Sequence, residues 1–77
     1  MKNVKWVNNF NTSEYKSYKT FDNFCGLGDG AKCGVIEYRK WERRYTAKRI
    51  AKNEYEERSF FNTLKDAKSW VATWICA

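Results

Sequence analysis

Glu56-Glu57-Arg58-Ser59-Phe60-Phe61-Asn62-Thr63-Leu64-Lys65-Asp66-Ala67-Lys68-Ser69-Trp70-Val71-Ala72-Thr73-Trp74-Ile75 reads as a short strand running into an amphipathic helix. Thr63 stands where a helix N-cap belongs, because its hydroxyl can accept from a first-turn amide that has no carbonyl partner. Asp66 follows three residues later, near the positive helix end. Leu64, Ala67, Trp70, Val71, Trp74 and Ile75 recur at helical spacing and make one apolar stripe. Lys65, Asp66, Lys68, Ser69 and Thr73 fall on the other side. A stripe carrying two tryptophans needs a broad, flat cover. In a chain of 77 residues that cover is a sheet built from the preceding segment. The expected fold is therefore α+β: an antiparallel meander of three to five strands packed against one C-terminal amphipathic helix.

Upstream of that stretch, Val35 to Ile50 has the Glu, Lys, Arg and Ala content of a helix but not the apolar spacing. Tyr45 and Ala47 alternate with Thr46 and Lys48, as a half-buried strand does. Two strands are expected, about Cys33 to Lys40 and Arg43 to Ile50, with a bend near Trp41. No Gly, Pro or Asn marks that bend, so one long bulged strand is the alternative. Ala51-Lys52-Asn53-Glu54-Tyr55 is the next turn. If Ile50 faces Glu56 across it, Arg49 faces Glu57, Ala47 faces Ser59 and Tyr45 faces Phe61. That set suits the helix side. The opposite face then sets Thr46 against Phe60 and Lys48 against Arg58. Like charges directly opposed destabilise a sheet, so this second face makes more sense as a docking surface than as structure. A slip of one residue would exchange the two faces.

Cys25-Gly26-Leu27-Gly28-Asp29-Gly30-Ala31-Lys32-Cys33-Gly34 is the one glycine-rich segment. It lacks the spacing of a phosphate-binding loop. The eight-residue separation of Cys25 and Cys33, in a chain without histidine, does not suit zinc. A hairpin tip fits better, with Gly28-Asp29-Gly30 tolerating positive φ. A three-residue loop there places Cys25 opposite Cys33, as free thiols in a cell. Nearer the start, Val4, Trp6 and Phe10 share one parity and predict an opening strand from about Val4 to Phe10. Tyr15, Tyr18, Phe21 and Phe24 are spaced by three, which leaves a short helix and an irregular strand both open.

Residues 1–77 are expected to form one domain, with fourteen aromatic residues enlarging a small core. Met1-Lys2-Asn3-Val4-Lys5-Trp6 is not followed by an apolar run, and no stretch is long enough to span a bilayer. No membrane partner is expected, and the cytoplasm is the expected compartment. Three cysteines suit it better than a secreted disulfide scaffold. Charge is concentrated. From Arg39 to Lys52 there are seven basic residues and one acidic one, Glu42; elsewhere eight basic and eight acidic residues cancel. The whole +6 thus sits in one segment, which either is a solvated face or awaits an anionic partner. Catalysis is not expected, since there is no histidine for proton transfer or for activating Ser or Cys. No cofactor or metal is expected.

Tyr45-Thr46-Ala47-Lys48-Arg49-Ile50, a short turn, Arg58-Ser59-Phe60-Phe61-Asn62-Thr63-Leu64-Lys65-Asp66-Ala67 and then Trp70 resemble the small DNA-binding domain at the N-terminus of phage and transposon integrases. The plant ethylene-response DNA-binding domain is similar. The resemblance covers about residues 34–74. It implies a three-stranded antiparallel sheet packed on a helix, with the open sheet face entering the major groove. Carried over, it points to Arg44, Thr46, Lys48, Arg58 and Phe60 on that face, with Arg39, Lys40 and Arg43 extending it. Arginines would serve as bidentate donors to phosphate or guanine and lysines as point charges. The expected function is a small, basic, non-enzymatic binding protein of phage or mobile-element type. Its expected partner is nucleic acid, DNA ahead of RNA. The alternative is an anti-defence or host-takeover inhibitor, for example an anti-CRISPR, that occupies an acidic or nucleic-acid-handling host protein. The oligomeric state is left open.

Overall fold

The computed structural model describes residues 4–26, 28–51 and 56–76. The expected turn over 51–55 falls outside them except for Ala51, as do the first three residues of the chain. Five strands form one antiparallel sheet in chain order: β1 (Val7–Asn11), β2 (Tyr15–Phe21), β3 (Lys32–Arg39), β4 (Arg44–Ala51) and β5 (Glu56–Phe61). The helix α1 (Leu64–Ile75) packs over β3, β4 and β5. This is the α+β meander that the helical stripe requires.

Local chemistry sets both ends of the final strand-to-helix unit. Thr63 is extended, and its Oγ1 accepts from the Asp66 amide at 3.2 Å, so the N-cap is formed. Ala67, Val71 and Ile75 are buried on the sheet, while Leu64, Trp70 and Trp74 flank them. They meet Ile36 and Ala47, which pair with each other across β3 and β4 and are fully buried. Gly34 lies in the same path. A Cβ there would collide with the Val71 side chain, so the missing methyl lets the helix approach β3.

The β4–β5 register is the expected one, with Ile50 opposite Glu56, Arg49 opposite Glu57, Ala47 opposite Ser59, Tyr45 opposite Phe61, Thr46 opposite Phe60 and Lys48 opposite Arg58. The bend near Trp41 is a true chain reversal. It needs no glycine because Arg43 itself adopts the left-handed conformation, φ 53°. The amides of Glu42 and Arg43 both donate to the Arg39 carbonyl, at 3.0 and 3.2 Å, and close the turn.

Two expectations fail in the first half. The glycine segment is not a three-residue tip. β2 ends at Phe21, which pairs with Cys33, and a 3₁₀ turn (Asp22–Cys25) follows. The buried Asp22 carboxylate accepts from the amides of Gly30 and Lys32, which holds a longer connection in place. Cys25 therefore lies in the 3₁₀ turn, its thiol donating to the Asp22 carbonyl, and does not face Cys33. Gly28 and Gly30 do take positive φ, as their placement requires. The opening strand also differs. Val4 and Trp6 pack on the helix side, but the β1–β2 register shifts between Asn8 and Phe10. That bulge reverses the parity, so Phe10 pairs with Ser17 and stands 59% exposed on the other face. The ambiguous Tyr15 to Phe24 run is a strand as far as Phe21.

The close approach at Gly34 is testable. Gly34→Ala should lower stability by about 1–3 kcal/mol through overpacking. In a Val71→Ala background the same substitution should cost measurably less, because the clashing atoms are gone. Urea melts of the four proteins of this double-mutant cycle check it.

Candidate nucleic-acid interface

A strand sends alternate side chains to opposite faces. Since Ala47 and Ile36 face the helix, Arg44, Thr46, Lys48 and Ile50 of β4 project the other way. Their cross-strand partners share that face: Arg39, Glu37, Val35 and Cys33 of β3, and Phe60, Arg58 and Glu56 of β5. Tyr15, Ser17, Lys19 and Phe21 of β2 continue it through the β2–β3 pairing. The open face has two halves. Toward the β2–β3 connection, Phe21, Cys33, Val35 and Ile50 surround Lys19. Toward the β3–β4 turn, Arg39, Arg44, Lys48 and Arg58 surround a shallow depression of about 290 Å³ that Glu37, Glu42, Thr46 and Phe60 complete.

The sequence-predicted site residues mostly converge there, in different states. Arg44 lies over the Phe60 ring, its guanidinium carbon 4.0 Å from the ring centroid. Phe60 remains 49% exposed. Lys48 meets Glu37 at 3.1 Å, and Arg39 meets the other oxygen of the same carboxylate at 3.2 Å. Arg58 pairs with Glu56 at 3.4 Å, both side chains about half exposed. Such an exposed pair is worth little and is easily exchanged for another anion. Lys40 and Arg43 are in the turn, beside Glu14 and Trp41. Among the described residues, Lys40, Arg43 and Arg44 have no carboxylate within ion-pair distance. Thr46 lies on the predicted face and lines the depression, only 6% exposed.

Arg49 belongs to the same basic segment but not to this face. It pairs with Glu57 at 3.0 Å, donates to the Trp70 carbonyl at 2.6 Å and lies 3.7 Å from the Trp70 ring centroid. It ties β4 to the helix.

Three residues that sequence reasoning did not select shape the site. Glu37 is the acidic centre of the cationic half, only 14% exposed at its side chain. Besides its two cations it accepts from the Tyr15 hydroxyl at 2.8 Å. Partial burial pushes its carboxyl up, but the Tyr15 hydrogen bond together with Lys48 and Arg39 outweighs burial and holds it below the usual carboxylate range. Burial, followed by the Glu37 hydrogen bond, raises the Tyr15 phenol. Trp41, at the tip of the β3–β4 turn, is 70% exposed. An aromatic residue between Lys40 and Glu42 with no apolar neighbour at strand spacing is the sequence signal that marks it.

Comparison with protein-family models, characterised proteins and solved structures finds no significant match to this chain. Among the described residues, no helix is long and apolar enough to cross a membrane.

The position of Glu37 gives a pH signature. Its folded value lies below the unfolded one, so its contribution is complete above the unfolded value and is lost as pH falls through the folded value. Below that unfolded value, wild-type stability should fall more steeply with acidification than that of Glu37→Gln. Urea midpoints measured for both proteins across the acidic range check the difference.

Proposed function

We propose that this chain is a non-enzymatic binding protein whose open sheet face binds nucleic acid. The observation that carries the reading is the gathering of Arg39, Arg44, Lys48 and Arg58 around one depression, with Lys40 and Arg43 in the adjoining turn. Two of these cations share a single carboxylate, and three others have none within ion-pair distance among the described residues. The face thus keeps a positive excess after its internal pairing. Cross-strand neighbours repel in the unliganded protein: Arg39 lies opposite Arg44, and Lys48 opposite Arg58. A phosphate backbone relieves both repulsions and releases its own counterions. Phosphate contacts of this kind fix position without choosing sequence. The resemblance to integrase DNA-binding domains that the sequence suggests implies a ligand on the same face and supports this reading. A phage or mobile-element setting and DNA as the natural polymer belong to this proposal.

Fluorescence anisotropy with labelled oligonucleotides at low and physiological salt tests it. Affinity should fall steeply with salt. Arg44→Ala and Lys40→Ala should each weaken binding and reduce the slope of log K against log salt by about 0.7–0.9. Glu37→Gln should strengthen binding several-fold, because it frees Lys48 and Arg39 without removing a cation. Lys65→Ala, on the exposed side of the helix, should change little. Absence of affinity for any nucleic acid, together with co-purification of one host protein, would overturn the reading in favour of an inhibitor.

A further inference from the structure

We infer that the nucleic acid this face takes is single-stranded, held by base stacking on exposed rings beside the cations; this rests on the nucleic-acid reading above. Two observations carry it, and a third accompanies them. First, the cations ring a depression about 290 Å³ in volume. A duplex groove is read by something that protrudes into it, whereas a flexible strand can lay a phosphate or a base into a hollow. Second, the rings left in solvent lie around the cationic half: Trp41 is 70% exposed, Phe10 59% and Phe60 49%. Phe60 lines the depression, Trp41 tips the turn that carries Lys40 and Arg43, and Phe10 packs edge-on against Tyr15 at 5.7 Å. Arg44 already lies on the Phe60 ring. Its planar guanidinium can pass the stack on to a base. In a duplex the base faces are covered by their neighbours and cannot reach these rings. Third, Arg43 holds a left-handed conformation that costs a non-glycine residue free energy. A glycine would remove that cost and with it the cation beside Trp41.

The proposal distinguishes two sources, single-stranded DNA and single-stranded RNA, which share phosphates and exposed bases but differ in the 2′-hydroxyl. The full chain is titrated with labelled oligo-dT, with oligo-U and with a duplex of the same length, at one low salt concentration. The expected result is that a single strand binds at least about tenfold tighter than the duplex. Trp41→Ala and Phe60→Ala should each weaken single-strand binding by about tenfold, within the range of one lost base stack, and should weaken duplex binding distinctly less. Circular dichroism and melting confirm that both variants fold. Oligo-dT should also quench tryptophan fluorescence, and the quenching should vanish in Trp41→Ala, since Trp6, Trp70 and Trp74 pack against the core. Whichever homopolymer binds tighter names the source, and either order supports the proposal. Salt-sensitive binding in which the duplex equals or exceeds both single strands, or in which the two ring variants bind like wild type, overturns this inference and leaves the nucleic-acid reading standing. No binding to any of the three overturns both.

Discussion

One helix can cover one side of a sheet. In this chain the apolar stripe of α1 and the close approach at Gly34 decide which side that is. From β2 to β5 the other allocations follow from the two-residue period of the strands. Ile36 and Ala47 go toward the helix, and so Arg44, Lys48 and Arg58 must go away from it. The charge of the basic segment is not scattered around the molecule, because the pleat sorts it. Arg49 has the opposite parity from Lys48 and is absorbed between Glu57 and the Trp70 ring.

The open face is also organised within itself. Glu37 holds two cations and a tyrosine hydroxyl, which fixes the floor of the depression while leaving Arg44 and the turn cations without a carboxylate partner among the described residues. A carboxylate so placed limits the repulsion that four clustered cations would otherwise generate. It also subtracts charge from the surface that an anionic ligand would meet. Stability and binding therefore pull in opposite directions at this one residue. Arg43 shows the same opposition at the turn, where a strained backbone retains a cation.

The parts of the fold that were legible in the sequence are those where several signals agree. The helix has a cap, a stripe and a polar side that all specify one placement. The β4–β5 register matches the alignment supposed from the sequence, which pairs Arg49 with Glu57 and sends Tyr45, Ala47, Phe61 and Ser59 to the helix; a slip of one residue stayed open until the strands were seen paired. The failures have a common cause, since each depends on a contact made across a turn or between strands, which the local run of residues does not report. The bulge before Phe10 is set by pairing with β2, and nothing in Asn8-Asn9 alone announces it. The connection after Phe21 is held by Asp22 reaching Gly30 and Lys32, which local turn propensity does not report. Glu37 was invisible as a site residue because its role comes from three partners, on β2, β3 and β4. Thr46 was placed on the correct face, but its burial between Glu37 and Phe60 is not visible in the alternation of β4 alone.

The central claim is that the ligand meets the side of the sheet turned away from the helix. Amide chemical-shift mapping during titration with a nucleic-acid strand tests it most directly. The account predicts perturbations at Arg39, Lys40, Trp41, Arg43, Arg44, Lys48, Arg58 and Phe60, with Lys65, Lys68 and Thr73 of the helix unmoved. Perturbations centred on the helix, or none on the open face at saturating ligand, would contradict it.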